Sequence, residues 1–339
     1  MSQKVVEFTA LTKEDEYEWT LGEDLAEMAK EELREDESVR NQSLEQMRDW
    51  IRKNPRISSC RLDARFLLRF LRFKKFSVPM AQEALERYIL LRNVYATAFE
   101  NLDALDPVVN ALISNGYAFA SHKRDKKGRR VIFYFPGKFD PYKYTNTDMC
   151  RVHGVIYETL MEDEENQIRG YVHFADGKGV GFPHMTLFTP REAVRIVKNG
   201  ERTLPMRHKE VHGLHAHPSI KFAVDFGMAL ISEKIRHRVK IYTSMEEAKG
   251  CIDPELLPKE YGGVMPMDEM IALWKKELLE MRSTILSNDK MKVRQELFSE
   301  RAREGAVSAL KAGGLEASCA LGSDSTFGIT GSFRKLEVD

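Results

Sequence analysis

The chain has 339 residues, 42% hydrophobic and 31% charged, with 52 Lys+Arg against 52 Asp+Glu. That is the make-up of a soluble globular protein with room for one large domain and a smaller one. A net charge of zero argues against nucleic acid as a partner, and no apolar run reaches the ~20 residues a membrane-spanning helix needs. The neutrality hides an asymmetry: residues 1–50 carry 15 acidic and 6 basic residues, so the rest is basic, which suits an anionic surface. Cys60, Cys150, Cys251 and Cys319 share no metal-type spacing and read as reduced thiols. The polar, acidic first residues fit neither a signal nor a transit peptide, so a cytoplasmic protein is expected.

Residues 1–42 read as an acidic lead, with Glu23 to Glu37 a solvated face. A helix follows over 43–54, capped by Ser43 with Gln46 three residues on, and Pro55 stops it. In RLDARFLLRFLRFKKF (61–76), Leu62, Phe66, Phe70 and Phe73 recur at helical spacing, with the basic residues between them. A second helix spans 79–95, so 43–100 forms a small helical domain.

An α/β domain is expected over 105–283. A helix at 107–114 ends at Asn115-Gly116. Strands are expected at 130–136, 170–176, 210–214 and 239–243, with helices near 146–164, 189–199 and 219–237. Alternating strands and helices imply a largely parallel sheet. Met267–Met281 is a closing helix, followed by another to about residue 304, and 284–339 reads as a C-terminal helix and mobile tail.

Catalytic signals are absent. Gly177-Lys178-Gly179-Val180-Gly181 matches neither the dinucleotide fingerprint nor the P-loop. His208, His212, His215 and His217 lie close in sequence, yet alternation divides them between two strand faces. A metal-dependent enzyme using this cluster is the weakest reading; the expectation is no enzyme, no metal and no cofactor. Asp163-Glu164-Glu165 reads as a solvated helix end. Spacing alone makes Lys74, Arg207, Lys209, Lys234 and Arg238 cations capping helix ends and flanking a strand.

FLLRFLRFKKF (66–76), RDKKGRRVIFY (124–134) and LLPKEYGG (256–263) occur in the order and at the spacing of the CRAL-TRIO family, and the chain resembles its tocopherol- and retinaldehyde-binding members over about residues 45–283. The resemblance implies a helical N-terminal domain packed on an α/β lipid-binding domain, whose sheet floors an apolar cavity under a helical lid. It implies a carrier of a small hydrophobic ligand that is tocopherol-, retinoid- or isoprenoid-like. It implies lid residues Ile220, Ala223 and Phe226, and a phosphoinositide-binding cleft of Lys74, Arg207, Lys209, Lys234 and Arg238. Cavity-wall positions fall on Tyr117, Tyr134, Cys150, His153, Tyr157, Tyr171, Ala175, Ile196, Met206, His208 and Val211. His153, Tyr157 and Ala175 depart from the relatives, which leaves the cargo open. The expected partners are a hydrophobic ligand and, peripherally, phosphoinositide-containing membranes, with the protein a monomer. The alternative is a phosphoinositide-binding trafficking adaptor.

Overall fold

The computed structural model describes residues 7–187, 189, 190, 193, 194, 197, 201, 203–214 and 221–305. The sequence expectation of an α/β protein with a helical N-terminal region holds. Helices α1 (Glu23–Met28), α2 (Glu37–Lys53), α3 (Ala64–Phe73) and α4 (Val78–Val94) precede short α5 (Ala96–Phe99) and α6 (Pro107–Ser114). A five-stranded sheet follows: β3 (Ala118–Arg124), β4 (Arg130–Tyr134), β5 (Tyr171–Asp176), β6 (His208–Leu214) and β7 (Val239–Tyr242), side by side in that order. β3 and β4 form an antiparallel hairpin; the other three pairings are parallel. Helices α7 (Asn146–Met161) and α8 (Glu164–Arg169) join β4 to β5.

Several boundaries differ from the expected ones. Asp36, not Ser43, caps α2, accepting from the Val39 amide, and Ser43 is buried within the helix. The helix expected over 146–164 stops at Met161, because Asp163 caps the separate α8. The helix expected over 219–237 is described as Lys221–Leu230, followed by a short Glu233–Arg236 turn that Ser232 caps. The closing helix runs further than expected, Met267–Ser287. In place of a further long helix come β8 (Lys292–Val293) and a short helix, Glu300–Gly305. β8 joins β1 (Thr9–Ala10) and β2 (Ile57–Cys60) in a small second sheet that ties both ends of the described chain to the helical region. The tail beyond residue 305 and most of the helix expected near 189–199 lie outside the described residues.

Helix α3 is buried almost all round, although three of its ten residues are arginines. Of these arginines only Arg65 is exposed. Arg69 and Arg72 are fully buried. Arg69 donates to Glu158 of α7 (3.3 Å) and to Glu162 at its C-cap (2.6 Å). Arg61 also reaches Glu162 (2.6 Å), and Arg92 of α4 reaches Glu158 (3.0 Å), which accepts from the Tyr88 hydroxyl as well. Arg72 holds both oxygens of buried Glu35 (2.9 and 2.8 Å) and donates to Glu164 (2.9 Å).

Thus neither the acidic lead nor Asp163-Glu164-Glu165 is simply solvated. Leu25, Ala29 and Leu33 bury themselves around Ile168, while Glu165 binds Arg124 and Arg169 at 3.0 and 2.7 Å. A carboxylate is solvated only if no guanidinium claims it, and here the claimants lie far away in sequence.

Deleting one partner of such a buried pair strands the other charge without water. Arg72→Ala should lower the unfolding free energy by about 3–5 kcal/mol in urea denaturation. Lys53→Ala, which breaks only an exposed contact to Asp49, should cost less than about 0.5 kcal/mol.

Candidate functional site: a polar inner wall and a basic cleft

Successive strand residues point to opposite faces of a sheet. In-register pairing therefore sets Tyr134, Ala175 and Gly213 on one face with Ile132, His173 and Val211. Helix α7 lies over this face. Its Cys150, His153 and Tyr157 follow one another at helical spacing and form one stripe. Glu158 and Glu162 lie on the adjacent stripe, turned to the buried arginines.

The inner wall carries a chain of hydrogen bonds. The Tyr157 and Tyr134 hydroxyls are 2.9 Å apart, and the Tyr134 hydroxyl lies 3.3 Å from His173 Nδ1. His173 Nε2 meets His208 Nδ1 at 2.8 Å. Alongside, the Tyr117 hydroxyl meets His153 Nε2 at 2.9 Å. Burial pushes His153 and His208 down to about 4 and His173 well below the usual imidazole range, so all three are neutral at pH 7. Burial likewise raises the Tyr117, Tyr134 and Tyr157 phenols. Tyr134, Cys150, His153, Tyr157, Ala175, His208 and Val211 nonetheless keep partial exposure. Met206 and Tyr171 are fully packed, and the Tyr171 hydroxyl donates to the Leu160 carbonyl (3.2 Å). Ile196 and Ile220 lie outside the described residues, as does the Ala223 side chain.

His173 was missed at the sequence level, although the signal was available: it sits between Tyr171 and Ala175 at the same parity. The histidine run does not gather. His208 turns to His173, whereas His212 bonds the Tyr242 hydroxyl (2.9 Å). Among the described residues no three possible metal ligands converge; His215 and His217 lie outside them.

The opposite sense of the same strand carries the cations. Arg207 and Lys209 flank His208, and both donate to Glu32, each at 2.6 Å. Arg207 also donates to the Ile168 carbonyl, and Arg238 to the His208 carbonyl. Desolvation, then the charges of Arg238, Lys75 and Arg207, holds Lys234 below the usual lysine range. Four of the five expected cleft residues thus share one electrostatic neighbourhood. The fifth, Lys74, stands with its ammonium 4.2 Å from the Phe73 ring centre. The charge of its neighbour Lys75 also acts on Lys234, and Lys75 and Phe76 take φ of 51° and 58° in the turn after α3. Two successive non-glycine residues in the left-handed region are unusual.

Lys209 and Arg238 also line a groove of ≈ 820 Å³ that runs past Arg129 and Arg169 to Asp24 and Glu32. Among the described residues no helix is long and apolar enough to cross a membrane.

Comparison with known proteins places this architecture. Residues 114–263 match the CRAL/TRIO domain, and residues 36–109 match a Pinta-like UBA domain. Clavesin-1 of Rattus norvegicus is 30% identical over 260 residues, covering 76% of this chain and 73% of that protein. Clavesin-2 of Homo sapiens is 27% identical over 261 residues, covering 77% and 80%. The crystal structure of Sfh5 superposes with a TM-score of 0.50 at 12% identity, over 74% of this chain and 99% of that one, a likeness of fold alone. The polar-lined inner wall, the parallel sheet and the matched segments agree, and the chain belongs to the CRAL/TRIO family of lipid-binding and lipid-transfer proteins.

Proposed function

We propose that the protein carries one small hydrophobic molecule, tocopherol-, retinoid- or isoprenoid-like, and exchanges it at phosphoinositide-bearing membranes while otherwise remaining in the cytoplasm. The observation that carries this reading is the inner wall. Tyr117, Tyr134, Tyr157, His153, His173 and His208 offer hydroxyl and imidazole groups without a formal charge. Such a wall suits a ligand with an uncharged polar end, a hydroxyl or carbonyl oxygen, because a buried unpaired charge is far costlier. The remainder of the ligand gains about 0.8 kcal/mol per methylene buried.

The Lys221–Leu230 helix supports a lid role. Val224, Phe226, Met228 and Leu230 are all partly exposed, and none of its described side chains is buried. An amphipathic surface of this kind can close over a cargo or enter a membrane interface. The cations beside it supply the membrane contact: Arg207, Lys209, Lys234 and Arg238, with Lys74 and Lys75. Each contributes about 1 kcal/mol near an anionic bilayer.

Native mass spectrometry of protein from its natural source is expected to show one hydrophobic molecule per chain; a chain with no bound lipid would favour the adaptor reading instead. Charge reversal at Lys234 and Arg238 should weaken binding to phosphatidylinositol bisphosphate vesicles and leave cargo affinity in solution unchanged. Full retention of vesicle binding would remove the cleft from the mechanism.

The neutral histidines also set a pH dependence. Their folded-state values lie below the ordinary 6.5, so the unfolded chain takes up their protons first. Stability is complete above pH 6.5 and falls as pH drops from there towards 4. Between pH 7 and 5 most carboxylates remain ionised, so the histidines dominate. Urea midpoints should fall over that interval, and a His153→Gln, His208→Gln double variant should flatten the fall.

A further inference from the structure

The two cations at the centre of the cleft are already occupied. One oxygen of Glu32 accepts from Arg207 Nη2 and from Lys209 Nζ, both at 2.6 Å. Among the described residues no other carboxylate pairs with either cation. Glu32 belongs to the acidic N-terminal segment, in a single π-helical turn, Ala29–Leu33, that continues α1 and ends at Arg34 with φ 66°. The segment packs in a small apolar cluster of its own: Leu25, Ala29 and Leu33 meet Ile168, with Trp19, Leu21 and Met28 against them, and Asp24 adds an ion pair with Arg169. The Glu32 side chain is 40% exposed, whereas that of Arg207 is only 12% exposed.

We propose that this segment is an intramolecular strap, in which Glu32 occupies the anion position between Arg207 and Lys209 until a phosphomonoester headgroup displaces it. The inference rests on the reading of the cleft as a headgroup site and adds its regulation. A single carboxylate keeps two largely buried cations paired, so the empty site bears no unpaired buried charge. A phosphate monoester brings about −1.5 to −2 charge and three acceptor oxygens to the same donors. It also draws on Lys234, Arg238 and Lys75, which Glu32 does not contact. Displacement breaks this one small cluster and leaves the rest of the apolar core in place, so the segment can open as a local unit.

The test uses the full chain and phosphatidylcholine vesicles with or without phosphatidylinositol 4,5-bisphosphate. Glu32→Gln should bind the phosphoinositide vesicles about tenfold more tightly than the parent, the size of one charge-assisted hydrogen bond. Glu31→Gln removes the same charge from an exposed neighbour and should change little. Amide hydrogen exchange over residues 23–33 should speed up when these vesicles are added to the parent protein. Soluble inositol trisphosphate is the second arm: a gain there assigns the displacement to the headgroup alone, and a gain with vesicles only assigns it to the headgroup within a membrane surface. Equal binding by Glu32→Gln and the parent, or an equal gain from Glu31→Gln, would overturn the strap while leaving the cleft intact. If Arg207→Gln with Lys209→Gln binds these vesicles as well as the parent, the cleft itself fails and the strap with it.

Discussion

The structure depends on two carboxylates one helical turn apart. Glu158 of α7 and Glu162, the residue that caps its C-terminus, are nearly inaccessible to solvent, and between them they take Arg61, Arg69, Arg92 and the Tyr88 hydroxyl. Removing these ions from water costs several kcal/mol each, which only close, multiply bonded geometry can offset. The consequence is positional. Helix α7 cannot rotate without breaking the array, because its other stripe is set by the same turn geometry. His153 and Tyr157 are therefore held at the sheet by charges on a neighbouring face. The helical region thus orients the inner wall without contributing a residue to it.

Much of this was legible in the sequence, and the parts that were not share a cause. The runs RVIFY and YVHFAD read as strands because both faces are covered, which leaves continuous apolar stretches. The motif LLPKEYGG also has a physical basis. The Tyr261 hydroxyl donates to buried Asp176 at 2.5 Å, Gly262 needs φ 86°, and a Cβ on Gly263 would sit 1.6 Å from the Leu257 carbonyl oxygen. It clamps the carboxyl end of β5, beside the glycine-rich loop that the sequence already suggested was structural. β3 escaped notice because its second half, SHKR, is polar. β1, β2 and β8 escaped because strands of two to four residues carry no periodicity.

The site was less legible than the fold. Acidic residues at 32, 35 and 164 looked solvated, since a local reading cannot see Arg207 or Arg72 as their partners. Family likeness points to Lys74, and the charge of its neighbour Lys75, which local spacing did not single out, also acts on Lys234. These relations span long sequence separations, which charge patterning does not encode.

Arg207, His208 and Lys209 are consecutive, and the pleat of the chain separates them by face. The two cations reach the acidic segment outside, while the imidazole between them reaches His173 inside. The backbone carbonyl of His208 is held by Arg238, another member of the cleft. A peptide plane rather than a domain thus divides the charged exterior from the neutral interior. The strand already spends one residue as a spacer here: Tyr171 pairs with His208 but Val172 with Glu210, and that slip is what brings Val211 to the inner face with His208 while His212 turns away.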